Sequence, residues 1–296
     1  MKKMLLFLFL ATILFAENLP EIEYEKLIFG EEQTLEIMSW NIQKFPKTEF
    51  TVDYVTKIIL AIDADVIGLQ EIQSEKDFTQ LLYNLREKNP QNNWCGFRAD
   101  TNEWDMNLAY LYKSSKIIAD SIYQIYADDS KFHQPFPRKP LVLEFSYLGD
   151  KFYIINNHLK AMPGEKNEHR REDACQKLYD YIEANLSAEN VCVLGDMNDE
   201  LVDENNVFNV FLNSEDYLFV DLVIAENEDS NWSYPYWKYR SHIDHILISN
   251  ELFDEYKKMG SDVRVITIDK FMEGGDKSRY EYITDHRPVV IKLNLQ

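Results

Sequence analysis

The sequence has few of the residues that mark fibrous, repetitive or disulfide-stapled proteins. Its 296 residues include nine Gly, nine Pro and three Cys, and they contain no internal repeat. So little Gly and Pro excludes collagen-like and low-complexity chains. Three cysteines allow one disulfide at most, so the fold cannot depend on a disulfide framework. The 45% hydrophobic and 28% charged content instead indicates a globular protein large enough to bury its own core.

Positive charge is also scarce. The chain has 31 Lys and Arg against 51 Asp and Glu, a formal net charge of −20. Proteins that coat polyanions without preference are basic, and this one is the opposite. Any nucleic acid or phospholipid substrate must therefore be met by a local patch of cations or by a bound metal ion.

The N-terminus carries an apolar run with a basic start. The segment MKKMLLFLFLATILFA (1–16) places two lysines before apolar residues and ends in a small one. This layout is typical of a secretory signal peptide, and the run is too short to span a bilayer comfortably; a buried N-terminal helix is the alternative. We predict cleavage after Ala16, which takes the net charge from −20 to −22 because Lys2 and Lys3 are lost. The mature protein would be secreted or periplasmic, without an integral membrane segment.

Hydrophobic periodicity predicts alternating strands and helices after that segment. The predicted strands are 35–42, 63–72, 106–113, 139–148, 151–160, 190–198, 242–249 and 287–293. The predicted helices are 51–62, 78–88 and 171–186. Since 139–148 and 151–160 should form a hairpin, the sheet cannot be purely parallel. We predict an N-terminal extension over 17–34 and one α+β domain over 35–296, with mixed strands and helices outside.

Polar residues recur where these hydrophobic strands begin or end. They are Asn41, Glu71, His158, Asp196, Asn198, Asp244, Asp285 and His286. Strand ends emerge together at a sheet edge, so these side chains can converge in one cleft. Each of these residues could instead have a purely structural role, such as an Asx turn at Asp196-x-Asn198. Acids that recur at the ends of hydrophobic strands, however, need pairing or a metal. Carboxylates with Asn suit Mg²⁺, Mn²⁺ or Ca²⁺, and no zinc-type spacing of His and Cys is visible.

Six strings resemble, in order, the motifs of the endonuclease/exonuclease/phosphatase superfamily. They are SWNIQKF (39–45), GLQEI (68–72), NNHLK (156–160), GDMND (195–199), HIDHIL (242–247) and TDHRPV (284–289). Members of that superfamily cleave phosphodiesters or phosphomonoesters with a divalent metal. The resemblance implies a four-layer α/β/β/α sandwich of two packed mixed β-sheets, with the site at one end.

The resemblance also implies roles for the strand-end residues. The metal, Mg²⁺ with Mn²⁺ or Ca²⁺ as alternatives, would be held by Glu71, Asn41 and Asp285. The catalytic set would be His158, His286, Asp196, Asn198 and Asp244. In that set Asp244 orients His286, and the two histidines act as general acid and base or as hydrogen-bond donors to the phosphate. The sequence does not say which histidine is the acid.

Two details of the resemblance concern the phosphate and the first histidine. Arg138 resembles a phosphate-contacting arginine of the deoxyribonuclease I-like branch, with a solvated loop arginine as the alternative. That branch also pairs its first histidine with an acid from the strand near 105–112. Here Asp105 and Asn107 are the candidates, a departure from the pattern that leaves the orientation of His158 open.

The segment NWSYPYWKYRSH (231–242) interleaves aromatic residues with cations. Trp237, Lys238 and Arg240 would contact substrate, either by stacking bases and tracking phosphates or by entering a membrane interface beside a sphingomyelinase-like site. A core-packing hairpin is the structural alternative. A second cationic string, HRRED (169–173), would line the same cleft or pair with acids of its own helix.

The resulting function hypothesis is a secreted, monomeric, Mg²⁺-dependent nuclease that hydrolyses DNA, with RNA as a second polymer. The alternatives are a sphingomyelinase-like lipid phosphodiesterase or a phosphomonoesterase on the same fold. A third hypothesis, an inactive binding protein, is disfavoured because the motif residues are intact. The remaining histidines receive no role in the mechanism, and His245 is expected to be structural.

Overall fold

The computed structural model describes residues 19–100, 106–127, 134–204, 206–226, 231–236 and 239–296. The predicted signal peptide, Asp105, Trp237 and Lys238 therefore lie outside the described residues. The strands within these ranges are β1 (Leu35–Phe45), β2 (Val66–Ile72), β3 (Trp94–Arg98), β4 (Asn107–Lys113), β5 (Ile118–Gln124), β6 (Leu141–Tyr147), β7 (Asp150–His158), β8 (Asn190–Asp196), β9 (Tyr217–Phe219), β10 (Tyr234–Tyr236), β11 (Tyr239–Ser241), β12 (Asp244–Ser249), β13 (Asp262–Val265) and β14 (Val289–Leu293). The helices are α1 (Thr51–Ile62), α2 (Glu75–Lys88), α3 (Glu165–Asn185), α4 (Asn209–Leu212), α5 (Leu222–Ala225), α6 (Phe253–Lys257) and α7 (Gly275–Tyr282).

These strands form two six-stranded mixed sheets and one separate hairpin of β10 with β11. The first sheet has the order β13-β14-β1-β2-β4-β3, and the second has the order β5-β6-β7-β8-β12-β9. One pair in each sheet is parallel, β1 with β2 and β7 with β8, and the other pairs are antiparallel. The predicted hairpin at 139–160 is β6 with β7, which turns between Tyr147 and Asp150.

Three apolar cores separate four layers. Along each central strand, successive side chains point to opposite faces: Ile37 enters the core between the sheets, whereas Met38 packs toward α1 and α2. In the second sheet Ile154 faces the inter-sheet core and Ile155 faces α3. The result is an α/β/β/α sandwich, so the fold expected from the sequence is confirmed.

The segment before β1 packs onto the first helical layer. A short 3₁₀ turn over Tyr24–Lys26 is followed by Leu27 and Phe29, both buried in the core that contains α1. Ile22 forms an isolated bridge with Met272. Residues 19–34 therefore contribute apolar side chains to the sandwich.

Two further observations concern the thiols and the helices. Cys95, Cys175 and Cys192 are all free, so no disulfide forms among them, and noncovalent contacts hold the layers together. Among the helices in the described ranges, none has the length and apolar character needed to cross a bilayer.

A buried ionic cluster lies at the start of β1, where Glu36 precedes Asn41 by five residues. Glu36 and Asp65 are both fully buried, and Lys116 lies 3.5 Å from Glu36 Oε2 and 2.8 Å from Asp65 Oδ2. Lys113 adds a contact of 3.0 Å to Asp65 Oδ1. Burial and the adjacent Asp65 together raise the pKa of Glu36 from 4.5 to about 7.

We expect Glu36→Gln to remove a pH-dependent loss of stability. A carboxyl whose folded pKa exceeds its unfolded value stabilises the folded state below pH 4.5, and this contribution is lost as the pH rises to about 7. Urea unfolding should therefore show the wild type losing about 2–3 kcal/mol relative to Glu36→Gln between pH 5 and pH 8. Glu144→Gln is the control, because a hydrogen bond from Lys151 lowers the pKa of Glu144. Parallel pH dependence in wild type and Glu36→Gln would contradict the prediction.

Candidate active site

Three strand ends of the second sheet bring imidazole and carboxylate side chains together. The register pairs His158 at the end of β7 with Asp196 at the end of β8, and Asp196 with Asp244 at the start of β12. All three side chains are buried, and His158 Nε2 lies 3.4 Å from Asp196 Oδ2. Gly195 permits this pairing, because a Cβ at its φ of 144° would lie 2.0 Å from the carbonyl oxygen of Asn157.

Glu71 reaches the same cleft from the first sheet through an irregularity in β2. The pairing of β2 with β4 shifts register between residues 69 and 72, and Glu71 has a φ of 63°. This left-handed conformation costs a non-glycine residue about 1–3 kcal/mol, and such bulges often re-aim a side chain at an active site. Glu71 Oε1 lies 3.3 Å from Asn41 Nδ2 and 4.0 Å from His158 Nε2. Asn41 Nδ2 also donates to Asp196 Oδ2 at 2.8 Å, so Asn41 links two site carboxylates.

Asp285 and His286 lie on the loop that leads into β14. The buried Arg279 holds this loop by donating to the backbone carbonyl of His286 at 3.0 Å. His286 Nδ1 hydrogen bonds to Asp244 Oδ2 at 2.7 Å. Its Nε2 then faces the cleft, 3.7 Å from Asp196 Oδ2 and 3.8 Å from Asp285 Oδ1.

The two histidines have opposite pKa shifts. Burial lowers the pKa of His158 well below 6.5, and the positive charges of Arg138 and His286 lower it further. Burial opposes the charged form of His286 too, but the carboxylates of Asp244 and Asp196 outweigh it and raise the pKa of His286 to about 10. One imidazole is therefore held neutral while the other retains its proton, a separation that distinguishes acid and base roles.

Four carboxylates converge around these histidines: Glu71, Asp196, Asp244 and Asp285. Burial is the largest cause that raises the pKa of Asp196 to about 7, although the charge of His286 opposes it. Asp285 Oδ1 and Asp244 Oδ1 are buried and have no hydrogen-bond partner among the described residues. Buried anionic oxygens with free lone pairs fit a hard divalent cation, which Glu71 and Asp285 would hold.

Asn198 lies directly beside this group. Its N–H donates to Asp196 Oδ1 at 3.1 Å, which is an Asx turn, and its Nδ2 donates to the Leu159 carbonyl at 3.3 Å. Asn198 is therefore part of the Asx turn that was the structural alternative for this motif. The same turn also places Asn198 beside the cleft.

Arg138 is half-buried at the edge of the cleft. Burial lowers the pKa of its guanidinium against the opposing charges of Glu71 and Asp196. Its Nη2 lies 3.1 Å from Met106 Sδ. The carboxylates that act on it place this cation at the site rather than on a distant loop.

The orientation of His158 differs from that of His286. Its Nδ1 is buried and has no hydrogen-bond partner in the part of the chain that the structure describes. Of the two candidates for an orienting group, Asp105 lies outside the described residues and Asn107 is buried at the start of β4. Among the described residues, His158 thus has no carboxylate partner comparable to Asp244, which bonds His286.

Trp232 and Tyr234 are the described aromatic side chains of the segment 231–242, and both pack against other residues. Trp232 is 1% exposed and packs against Arg287, whose Cζ lies 3.1 Å from its ring centroid. Trp232 therefore fits the core-packing alternative for this segment, since its faces are occupied by arginines. Arg240 is exposed and lies 5.0 Å from the same ring. Tyr234 packs at 4.7 Å from the His286 ring, and Trp237 and Lys238 fall outside the described residues.

The HRRED string lies inside α3, which begins at Glu165 rather than at the predicted residue 171. Arg171 is 3% exposed and bonds Asp199 Oδ2 at 2.7 Å and the Lys160 carbonyl at 2.8 Å. It therefore ties the GDMND loop to the loop after β7, and it is not a free cation of the cleft. Arg170 remains near the surface and donates to the Gln134 carbonyl.

Several positioning residues carried no recognisable sequence signal. Gln43 Nε2 donates to Asp285 Oδ2, and Lys47 donates to Gln43 Oε1. Ser233 Oγ accepts the Asp244 N–H at 3.1 Å and so fixes the start of β12. Only the place of Gln43 within the SWNIQKF motif, and of Lys47 two residues after it, could have pointed to these two.

Comparisons with known proteins agree with this geometry. A model of the Endonuclease/Exonuclease/phosphatase family matches residues 38–286, whereas no curated protein matches the chain. A structure of D. rerio TDP2 complexed with single strand DNA product aligns with a TM-score of 0.64 at 13% identity, over 89% of this chain and 100% of that one. The human Nocturnin catalytic domain with bound sulfate aligns with a TM-score of 0.60 at 18% identity, over 88% and 93%. An endonuclease/exonuclease/phosphatase from Bacteroides vulgatus aligns with a TM-score of 0.61 at 14% identity, over 90% and 100%.

At these identities the structural likeness shows a shared fold alone. The family model goes further, because it extends from β1 to the end of the active-site loop at His286. It thus includes the whole second sheet, all of the first sheet except β14 and the start of β1, and every strand end that contributes to the cleft. The chain belongs to the endonuclease/exonuclease/phosphatase family of phosphoric ester hydrolases.

Proposed function

We propose that this protein is a divalent-metal-dependent phosphodiesterase that hydrolyses nucleic acid, with DNA as the preferred polymer. The observation that carries the proposal is the cleft in which four carboxylates, two histidines of opposite pKa shift and one arginine converge. Carboxylates to hold a cation, imidazoles to move protons and a guanidinium to bind phosphate are the groups that this hydrolysis uses. The family match supports the reaction class.

Different residues of the cleft have different roles in the proposed reaction. The chemistry supplied by a divalent cation held at Glu71 and Asp285 is charge stabilisation at the phosphoryl group and a lower pKa of bound water. His286 carries a proton that it donates to the leaving oxygen, because Asp244 accepts its Nδ1–H and keeps the pKa of the ring high. His158 stays neutral and donates its Nε2–H to a phosphate oxygen.

A set of cations beside the cleft supports a polyanionic substrate. Lys160 follows directly after β7, and burial lowers its pKa together with the nearby charges of Arg170 and Arg138. We call Arg138, Lys160 and Arg170 the basic rim. A chain of net charge −20 can bind DNA only through such local cations. The DNA product in the D. rerio TDP2 structure, which shares this fold, supports the same substrate.

The test is direct hydrolysis by the purified mature chain. Plasmid DNA, RNA and sphingomyelin vesicles are each offered with Mg²⁺ and with EDTA. We expect DNA cleavage that requires Mg²⁺ and stops in EDTA. Hydrolysis of sphingomyelin without any DNA cleavage would reject the nuclease in favour of the lipid phosphodiesterase, and hydrolysis of none of the three would contradict the proposal.

Arg138→Ala should lower kcat/KM for a small chromogenic phosphodiester by about 10²-fold, the scale of one lost donor to a developing anion. Arg138→Lys should recover part of this loss, because it keeps the charge but not the planar fork. Steady-state kinetics measures both variants. Arg264→Ala is the control, since Arg264 is exposed on β13 and pairs with Asp262. Near-native activity of Arg138→Ala would remove this residue from the phosphate site.

The double variant Lys160→Ala with Arg170→Ala tests the polymer directly. Each lost phosphate contact reduces the salt dependence of binding, so the slope of log affinity against log salt should fall by about 1–2. Cleavage of plasmid DNA at low salt should fall at least about tenfold. A small chromogenic diester, which reaches only the metal, the histidines and Arg138, should be cleaved at nearly the native rate.

Controls separate electrostatics from folding. Lys257→Ala with Lys258→Ala removes the same charge from α6, away from the motifs, and should leave DNA cleavage unchanged. The predicted contacts Lys238 and Arg240 are tested in the same way, and Trp237→Ala should cost about 1–3 kcal/mol if that ring stacks a base. Equal losses of activity on DNA and on the small diester would mean that the basic rim makes no contacts specific to the polymer.

We also propose that the protein is exported. The basic start and apolar run of residues 1–16 support this, and a secreted nuclease would scavenge nucleic acid outside the cell. N-terminal sequencing of the chain recovered from the native host's periplasm or medium should begin at Glu17. Recovery of an uncleaved chain from the cytoplasm would contradict export.

A further inference from the structure

A second buried polar cluster lies on the opposite face of β12 from Asp244. It consists of Asp221, which follows β9, and of His242 and His245, and we call it the Asp221 cluster. The three side chains are 0–1% exposed. His242 Nε2 lies 2.9 Å and His245 Nδ1 lies 2.7 Å from the same atom, Asp221 Oδ2. The catalytic roles described above use none of these residues.

The outward-facing nitrogens determine the tautomers of both rings. His242 Nδ1 lies 3.0 Å from the Asn231 carbonyl oxygen, and His245 Nε2 lies 2.8 Å from the Asp199 carbonyl oxygen. A carbonyl oxygen only accepts hydrogen bonds, so both outward nitrogens must carry the hydrogen. In neutral imidazoles the two inward nitrogens are then bare, and three lone pairs meet at Asp221 Oδ2. Such an arrangement is repulsive unless a cation or additional protons occupy its centre.

We propose that the Asp221 cluster is a structural site for a divalent transition metal of the zinc class. Neutral imidazole nitrogen and carboxylate oxygen are zinc ligands. A metal-binding histidine characteristically donates its other N–H to a backbone carbonyl, as both histidines do here. Asp221 Oδ1 already accepts the Ile246 N–H at 2.8 Å, so the carboxylate would bind through Oδ2 alone.

The geometry needs a small opening to receive the ion. The three ligand atoms lie within 4.8 Å of one another. Ligands about 2.0–2.1 Å from a tetrahedral zinc are about 3.3 Å apart, so the two hydrogen-bond distances must widen by about half an ångström. Phe208 and Phe219 pack on the His245 ring at 5.3 and 5.9 Å and keep the surroundings apolar. A fourth position would be taken by water, since no further His, Cys, Asp or Glu joins this group in the described ranges.

This site would stabilise the catalytic loops without touching substrate. His245 follows Asp244, the partner of His286, and it bonds the carbonyl of Asp199 in the GDMND loop. The metal would join these two loops to the segment after β9. The spacing His242-x-x-His245 was not recognised as a zinc pattern because its third ligand is 21 residues away in the chain.

Cobalt and zinc uptake test the proposal independently of the nuclease activity. The probe is Co²⁺ added to chelator-stripped protein that carries Glu71→Gln, which weakens the active-site cation. We expect about one Co²⁺ per chain with the intense visible bands of a tetrahedral complex. Zn²⁺ at about 100-fold above its Kd should raise Tm by about 5–10 °C.

Variants identify the ligands. His242→Gln and His245→Gln should lose the bands and the Tm shift, whereas His169→Gln, at an exposed position on α3, should keep both. His242→Cys retains a ligand atom and should add a thiolate charge-transfer band that the parent lacks, and it decides the question if the glutamine variants do not fold. No Co²⁺ uptake by the Glu71→Gln protein, uptake that persists in His242→Gln, or a His242→Cys complex without the thiolate band would each overturn the proposal.

Discussion

Glu71→Gln is expected to reduce kcat/KM for phosphodiester hydrolysis at least about 10³-fold, which corresponds to about 4 kcal/mol of transition-state stabilisation. Glu71 has an oxygen facing the cleft, and its conformation at φ 63° is strained, so the fold holds this carboxylate in place at a cost. The amide keeps the shape but removes one formal charge from a hard-oxygen site. We expect Mg²⁺ or Mn²⁺ binding, measured by calorimetry, to weaken in parallel.

The control for this loss is Glu144→Gln. Glu144 is a partly buried carboxylate on β6 that bonds Lys151 and Ser121, so its loss changes the charge of the chain by the same amount without touching the cleft. Urea unfolding should show that Glu71→Gln remains folded, since it removes a partly buried anion and leaves the packing intact. Full activity of Glu71→Gln in saturating EDTA would contradict a metal-dependent mechanism.

The central strands were predictable because their apolar runs are long and their polar ends abrupt. The predicted strands 151–160 and 190–198 correspond to β7 and β8, and their parallel register places His158 beside Asp196. Convergence of these side chains could be inferred from strand ends alone. The four edge strands β3, β5, β9 and β13 were missed, because edge strands are short or partly exposed, and β5 is not buried at any position.

The supporting residues could not be predicted because their partners are distant in the chain. Arg279 bonds the carbonyl of His286 from inside α7, and an isolated arginine in a helix normally indicates a solvated surface. The roles of Arg171 and Trp232 likewise depend on which loops meet. Long-range packing decides these contacts, and a local pattern of hydrophobicity carries no information about it.

The structure also distinguishes the surroundings of the two histidines, on which their proposed roles rest. Sequence motifs placed both imidazoles at the phosphate but could not distinguish them. The structure separates them by a single partner, since Asp244 bonds Nδ1 of His286 while Nδ1 of His158 has no described partner. Burial and the charge of Arg138 lower the pKa of His158, whereas the carboxylates of Asp244 and Asp196 outweigh burial and raise the pKa of His286.

Asp244→Asn should lower kcat by about 10²- to 10⁴-fold, the range seen when an orienting carboxylate becomes an amide. The buried Asp244 accepts the Nδ1–H of His286 at 2.7 Å, whereas an asparagine can present its NH₂ group and favour the wrong tautomer. The pH profile of the activity shows in which direction the pKa of His286 moves. Asp244 is the first of the charges that raise the pKa of His286 to about 10 against burial. Its neutralisation must lower that pKa, so the activity limb that reports His286 should move to lower pH.

The matched control is Asp262→Asn, a partly exposed carboxylate on β13 that pairs with Arg264; it should change neither kcat nor the pH profile. His286→Ala should lose activity to a similar extent, and combining it with Asp244→Asn should add little, because the carboxylate acts through the imidazole. His158→Ala should retain the His286 limb while kcat falls by about 10²-fold. Two outcomes would contradict this role: losses that multiply in the double variant, or a lower kcat of Asp244→Asn without a shift of the pH limb that reports His286. Either would mean that Asp244 acts on the cleft by its charge alone and not by orienting His286.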